Sequence, residues 1–356
     1  MTKAARPAVL RTSRVVVKVG SSSLANPGAV ARLAADVAAV RAKGKSIVVV
    51  SSGAIALGYA KLGYKTRPKP KEVAKLQASA AAGQSLLMRA YEEAFAKSGI
   101  PVAQVLLTHA DLADRTRANN ARAALGELLA VGAVPVLNEN DSVAVEEIKF
   151  GDNDQLAALV VPLVDADLLV LLSDVDGVLD GEGERIPEVT DAADAARFVR
   201  AGTSAVGTGG MASKIEAARR ATIAGAHVVI ADARRPQVLE EVTGGADVGT
   251  WFVAAAGRMN ARRYWIAFTL RPRGDVVLDA GAANAVKHGN KSVLCVGVLG
   301  VRGDFHAGDA VRLLAPGGEE IGRGLARLEA MDAARAAGRK DERDGVLVHK
   351  DDLVIL

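Results

Sequence analysis

The chain has 356 residues, of which 50% are hydrophobic, 24% charged and only 3% aromatic. This composition can bury a core, so it excludes a mainly disordered chain, and 36 glycines without a fixed period exclude a collagen-like one. The formal charge of +4 divides into +1 over residues 1–256 and +3 over residues 257–356, too little on either side for a strongly basic nucleic-acid grip.

Length alone gives about two domains. The opening MTKAARPAVLRTSR has charges but no apolar centre, unlike a signal peptide. Apolar strand candidates follow in order: VVVKVG (15–20), SIVVVS (46–51), VAQVLL (102–107), AVPVLN (133–138), LLVLLS (168–173) and HVVIA (227–231). Between most of them lie Ala-rich stretches of helical length, at 29–43, 73–97, 119–131, 153–164 and 211–224. Strands apolar on both faces, alternating with helices, predict an α/β domain with a doubly wound, mainly parallel sheet and helices on both faces. Two stretches interrupt it. YKTRPKPK (64–71) is Pro- and Lys-rich and reads as a protruding loop, a rim or lid. SVAVEEIKF (142–150) alternates as a hairpin does. The longest apolar stretch, LAALVVPLV (156–164), is far below the ~20 residues that span a bilayer, so no membrane is expected and the chain reads as cytoplasmic.

After residue 256 the texture changes. YWIAFTL, DVVLD, KSVLCVGVLGV, DAVRLLA and DLVIL read as short strands without comparable helices between them, predicting a small all-β barrel over 257–356. The single cysteine, Cys295, sits in an apolar run and reads as a buried structural thiol, with no disulfide framework.

Neither a Walker A sequence nor a GxGxxG after a strand occurs. Polar or Gly-rich loops instead follow the apolar strands, where open α/β sheets bind ligands. Lys18 interrupts a buried-looking strand and precedes Gly20 and three serines; a buried ammonium needs a partner or a task, whereas a strand-end lysine can also reach solvent. Ser52 and Gly53 lie between a strand and a helix start, where serine also serves as a cap. NENDS (138–142) and FGDNDQ (150–155) concentrate Asn138, Asn140, Asp141, Asp152, Asn153 and Asp154, a density suited to holding an ammonium or orienting lysines. VGTGGMASK opens a helix with anion-accepting N–H groups and sets Lys214 in its first turn, against the helix dipole. Ser173 and Asp174 follow the fifth strand. Two lysines flanking a moving phosphoryl group, organised by Asp154, fit phosphoryl transfer, with Mg2+ arriving on nucleotide phosphates.

KVGSSSL, VSSGAIALG, VPVLNENDSVA, FGDNDQLAA, LLSDVDGVL and GTGGMASK resemble, in that order, the glutamate 5-kinase family of the amino acid kinase superfamily. RRYWIAF, VVLDAGAANAV, GDFHAGDAVRLL and VHKDDLVIL resemble the PUA domain that many members carry. The resemblance covers nearly the whole chain and implies an amino acid kinase fold at 1–256 and a PUA-like domain at 257–356. It implies transfer of the ATP γ-phosphoryl group to the side-chain carboxylate of L-glutamate, the first step of proline biosynthesis. By motif, Lys18, Lys214 and Asp154 would be catalytic, and Ser52, Asp141 and Asn153 would bind glutamate. Lys18, Ser173, Asp174, Thr208, Gly209, Gly210, Met211, Ala212, Ser213 and Lys214 would bind ATP. Ser173 stands where the family often has Thr, keeping the hydroxyl. RGLARLEAMDAARAAGRKDERDGVLVHKDD is shorter and more Ala-rich than the polar insert usual there, a departure confined to the second domain. The resemblance further implies a homo-oligomer, proline as feedback inhibitor and glutamyl phosphate reductase as pathway partner.

Two alternatives remain at this point. Another acid kinase of the superfamily would act on acetylglutamate or aspartate. An RNA-binding protein would use the PUA-like domain, but its Tyr264, Trp265 and Phe268 crowd one apparent strand and read as core rather than as stacking platforms.

Overall fold

The computed structural model of the chain describes residues 6–24, 28–144, 153–192, 210–289, 291–339 and 345–356. The chain divides into two units, Met1–Arg258 and Met259–Leu356.

The first unit is built on β1 (Arg14–Val19), β2 (Ser46–Ser51), β3 (Val102–Leu107), β4 (Val134–Glu139), β5 (Leu168–Ser173), β6 (Glu188–Val189), β7 (His227–Asp232) and β8 (Thr250–Phe252). Their order is β3-β4-β2-β1-β5-β7-β8-β6, and every neighbouring pair is parallel except β7 with β8. Central strands read apolar throughout because both faces are covered: Val15–Val17, Ile47–Val50 and Leu168–Leu171 are almost fully buried. The chain steps from β1 to β2 on one side and returns later through β5 on the other. β1 therefore marks the topological switch point, and the crevice beyond its carboxyl end is where such a sheet binds ligands.

The helices Ala29–Ala42, Val73–Ala96, Asn153–Leu163 and Met211–Ile223 lie close to the expected bounds. Arg115–Ala130 begins earlier than its apolar spacing indicated, because Asp114 caps it by accepting from the Arg117 N–H at 2.8 Å. The Ala54–Lys61 and Val73–Ala96 helices cross through glycines. A Cβ on Gly83 would lie 1.8 Å from the Ala54 carbonyl oxygen, and one on Gly58 1.8 Å from that of Ser79. Backbone cannot move aside as a side chain can. Gly83→Ala is expected to cost about 1–3 kcal/mol or more through overpacking. Gly126→Ala is expected to stabilise by up to ~1 kcal/mol, since Gly126 is mid-helix with open space around it. Denaturant midpoints of the two variants on opposite sides of wild type would bear this out; equal midpoints would refute the close crossing.

The second unit carries β9 (Gly274–Leu278), β10 (Val293–Leu294), β11 (Val298–Gly303), β12 (Ala310–Leu314), β13 (Glu320–Ala326) and β14 (Val346–Ile355) in the order β10-β14-β13-β12-β9-β11. All its pairs are antiparallel except β9 with β12. Val276, Leu278, Phe305, Leu313, Ile321 and Leu347 fill its core, together with the buried thiol of Cys295. Two local expectations are corrected. YWIAFTL is helical, supplying the last residue of Ala261–Tyr264 and the π-helical turn Trp265–Thr269. Asn260 caps its start, the side chain accepting from the Arg263 N–H at 2.8 Å. Tyr264 and Phe268 pack together at helical spacing, with ring centres 5.0 Å apart. Helices of real length also separate the strands, as at Ala280–Gly289 and Ala330–Ala336.

Candidate active site

Three charged side chains meet at the carboxyl end of β1. Lys18 Nζ lies 2.6 Å from Asp154 Oδ1, and Lys214 Nζ lies 3.1 Å from Asp154 Oδ2. Asp154 is 0% exposed and each lysine side chain 9%. Lys18 is therefore withdrawn from solvent, and Lys214 is not on a solvated face. Asp154 stands in the first turn of the Asn153–Leu163 helix, where the dipole favours a carboxylate. Lys214 stands in the first turn of Met211–Ile223, where the dipole disfavours a cation. The cluster keeps one net positive charge, and its lysines arrive from opposite parts of the unit. That arrangement suits stabilisation of charge on a transferring anion.

Beside it lies an amide and hydroxyl network. Asn153 Nδ2 donates to Ser52 Oγ at 2.8 Å, to Asn138 Oδ1 at 3.0 Å and to the Ser51 carbonyl at 3.1 Å. Its Oδ1 is buried without a hydrogen-bond partner among the described residues. An orphaned acceptor of this kind fits a donor on a bound molecule. Ser51 Oγ and Tyr91 Oη are 2.9 Å apart, and burial pushes the Tyr91 phenol up to about 12, so it stays protonated. Asn138 Nδ2 donates to Gln84 Oε1 at 2.9 Å. Gly53, with φ of 107°, turns the chain from β2 into the next helix as only glycine does without strain.

Asp141 is half-buried in the turn after β4. It lines a cavity of about 330 Å³ with Gln84, Gln104 and Glu139. Burial pushes its carboxyl up to about 6, against the charge of Arg67, which lowers it. The Pro-rich loop thus brings a cation to the margin of this turn.

At the ends of β5 and β7, Ser173 Oγ donates to Asp174 Oδ1 at 3.2 Å. Gly210 is the N-cap of Met211–Ile223, and among the described residues a Cβ there would meet nothing within 4 Å. Met211, Ala212 and Ser213 follow in that first turn. Gln155 Nε2 donates to the Ser213 carbonyl at 3.1 Å, tying the two helix starts together. Asp152, Thr208 and Gly209 lie outside the described residues, as does most of the expected hairpin. Among the described residues, no group of three or more His, Cys, Asp or Glu side chains could hold a metal.

The structure thus joins Lys18, Asp154 and Lys214 directly, and Ser52 with Asn153. Asn138 belongs to the Asx-rich loops, but its place at the centre of the amide network had no signature in the sequence. Gln84, Tyr91 and Gln155 carried no signal either, being ordinary polar residues on helices.

Residues 13–232 match the model of the amino acid kinase family, and residues 274–343 match that of the PUA domain. A protein named glutamate 5-kinase from Ralstonia nicotianae is 45% identical over 99% of this chain and 100% of its own length. Glutamate 5-kinase from Burkholderia multivorans is 44% identical over 99% and 100%, and that from Chromobacterium violaceum 46% over 97% and 98%. The chain belongs to the amino acid kinase family, among the glutamate 5-kinases. Among solved structures, N-acetylglutamate synthase from Neisseria gonorrhoeae, complexed with coenzyme A and L-arginine, matches 71% of this chain and 64% of its own at a TM-score of 0.51 and 19% identity. That likeness shows the amino acid kinase fold alone. No helix among the described residues is long and apolar enough to cross a membrane.

Proposed function

We propose that this chain transfers the γ-phosphoryl group of ATP to the side-chain carboxylate of L-glutamate, forming L-glutamyl 5-phosphate. The observation that carries the mechanism is the buried Lys18–Asp154–Lys214 cluster at the switch point. In this reading the carboxylate oxygen attacks the γ-phosphorus, the bond to the β–γ bridging oxygen breaks, and ADP leaves. Lys18 and Lys214 neutralise charge on the phosphoryl oxygens, and Asp154 holds both ammoniums so that no reorganisation is needed during transfer. Ser52 and Asn153 bind glutamate, and Asp141 receives its α-ammonium. Ser173, Asp174 and the 208–214 segment hold ATP. Mg2+ would accompany the nucleotide phosphates and neutralise their charge; Asp154 faces lysines with both oxygens and is not assigned as its ligand. The 1–256 segment is the kinase domain and 257–356 the PUA-like domain in this reading.

Hydroxylamine traps acyl phosphates as hydroxamates. ATP- and Mg2+-dependent hydroxamate formation from L-glutamate is the expected result. Reaction of N-acetylglutamate or aspartate in place of glutamate would refute the assignment.

Asp141 gives a pH dependence. Its folded value of about 6 exceeds the ordinary 3.8, so protons compete with the substrate ammonium for this carboxylate. KM for glutamate is expected to rise as pH falls below about 6, approaching about ten-fold per pH unit once Asp141 is mostly protonated. Asp141→Asn should raise KM and flatten that limb; a limb unchanged in Asp141→Asn would rule out its role. The linked stability has the opposite sense. The folded carboxyl holds its proton more tightly than the unfolded one, so this contribution favours the fold at low pH and is lost between about 4 and 6.

A further inference from the structure

Arg234 lies two residues beyond the end of β7. There Asp232 stands in register with Ser173, and the Ala233 N–H donates to the Ser173 carbonyl at 2.8 Å. Arg234 is 63% exposed, yet its guanidinium has a fixed plane. Nε donates to Asp232 Oδ1 at 2.9 Å, and Nη2 to Asp232 Oδ2 at 2.7 Å, the two-pronged pairing that only arginine makes with a carboxylate. The Arg234 backbone N–H donates to the same carboxylate at 2.8 Å. Nη2 also donates to the backbone carbonyl of Asp174 at 2.9 Å. The Asp174 turn is held at its far side too, where the Val178 N–H donates to Thr250 Oγ1 at 2.8 Å and Gly177 packs against that residue too closely for a Cβ.

We propose that Arg234 is a positioning residue for the nucleotide: anchored by Asp232, it fixes the Asp174 carbonyl and so sets the geometry in which Ser173 and Asp174 meet ATP. This rests on the reading of the site as an ATP-dependent kinase. An exposed charge pair adds little to stability, so the pair's consequence falls on the turn it holds rather than on the fold. The role requires a fork. A lysine ammonium is a compact charge that cannot hold the carboxylate in two-pronged fashion and reach the Asp174 carbonyl in one plane.

Steady-state kinetics on the full-length chain test this, with melting temperatures recorded alongside. Arg234→Ala should raise KM for ATP about ten-fold, with kcat within about three-fold of wild type and KM for glutamate unmoved. Arg234→Lys should resemble Arg234→Ala, and Asp232→Asn should give an intermediate rise in KM for ATP. A KM for ATP within about two-fold of wild type in Arg234→Ala overturns the inference, as does full rescue by Arg234→Lys, which would mean that charge alone suffices. A lower melting temperature with equal damage to both substrates' kinetics also overturns it, in favour of a structural role. Wild-type protein that forms no hydroxamate from glutamate overturns the kinase reading itself, and this inference with it.

Discussion

Lys214→Ala is expected to lower kcat by about 10²–10³ while leaving stability nearly unchanged. The two halves of that expectation come from the same geometry. Lys214 occupies the first turn of its helix, where a cation is disfavoured by ~0.3–1 kcal/mol, and its ammonium is largely removed from water. Neither circumstance favours the fold. Asp154 offsets the cost at 3.1 Å, but Asp154 also has Lys18 at 2.6 Å, so truncating Lys214 still leaves the carboxylate with a counter-ion. In the proposed reaction, what disappears is a donor held in place for charge that would develop on the transferring phosphoryl group. Measured kcat, KM for ATP and the denaturant midpoint separate the possibilities. A loss confined to KM would make Lys214 a ground-state ATP contact. A large loss of stability with it would make the lysine part of the scaffold.

Much of this site was legible because it violates local rules. Lys18 stands in a run of valines, and Lys214 opposes a helix dipole; each lysine costs free energy unless a partner or a function offsets it, which is why sequence alone singled them out. Asp154 breaks no such rule, since a helix start favours a carboxylate, and was legible instead from the Asx density of its two loops. The sheet was legible for the converse reason: buried parallel strands are apolar on both faces, and the runs at 46–51 and 168–173 coincide with buried β2 and β5, while the run at 102–107 coincides with β3, an edge strand that is mostly half-buried. Gln84, Tyr91 and Arg234 were not legible. Each is an unremarkable polar residue in its own segment, and its importance depends on which loop the fold brings against it. YWIAFTL failed differently. Aromatic and β-branched content favoured a strand, but the Asn260 cap and the four-residue spacing of Tyr264 and Phe268 favour a helix, and packing decided between them. The glycines of β13 hid that strand in the same way: Cβ atoms at Gly322 and Gly324 would collide with β14, so the residues least suited to a strand are those its packing requires.

Asp154→Ala is expected to do what Lys214→Ala does not, and damage the fold as well as the reaction. Removing the carboxylate deprives two ammoniums, each on a side chain 9% exposed, of the counter-ion they share. Breaking a buried pair from one side costs about 3–5 kcal/mol, because the charge left behind stays desolvated and loses its compensation. Here two charges are affected. Activity should fall at least as far as in Lys214→Ala, since both lysines lose the group that orients them. The cause can be separated from lost packing by a double variant. If the damage is electrostatic, Asp154→Ala combined with Lys214→Ala removes one of the two affected charges and should recover part of the stability, giving a coupling energy of about 0.5–3 kcal/mol between the sites. Simple loss of side-chain volume would instead make the two substitutions additive. Additive midpoints, or an Asp154→Ala protein within about 1 kcal/mol of wild type, would show that the carboxylate does not compensate the lysines.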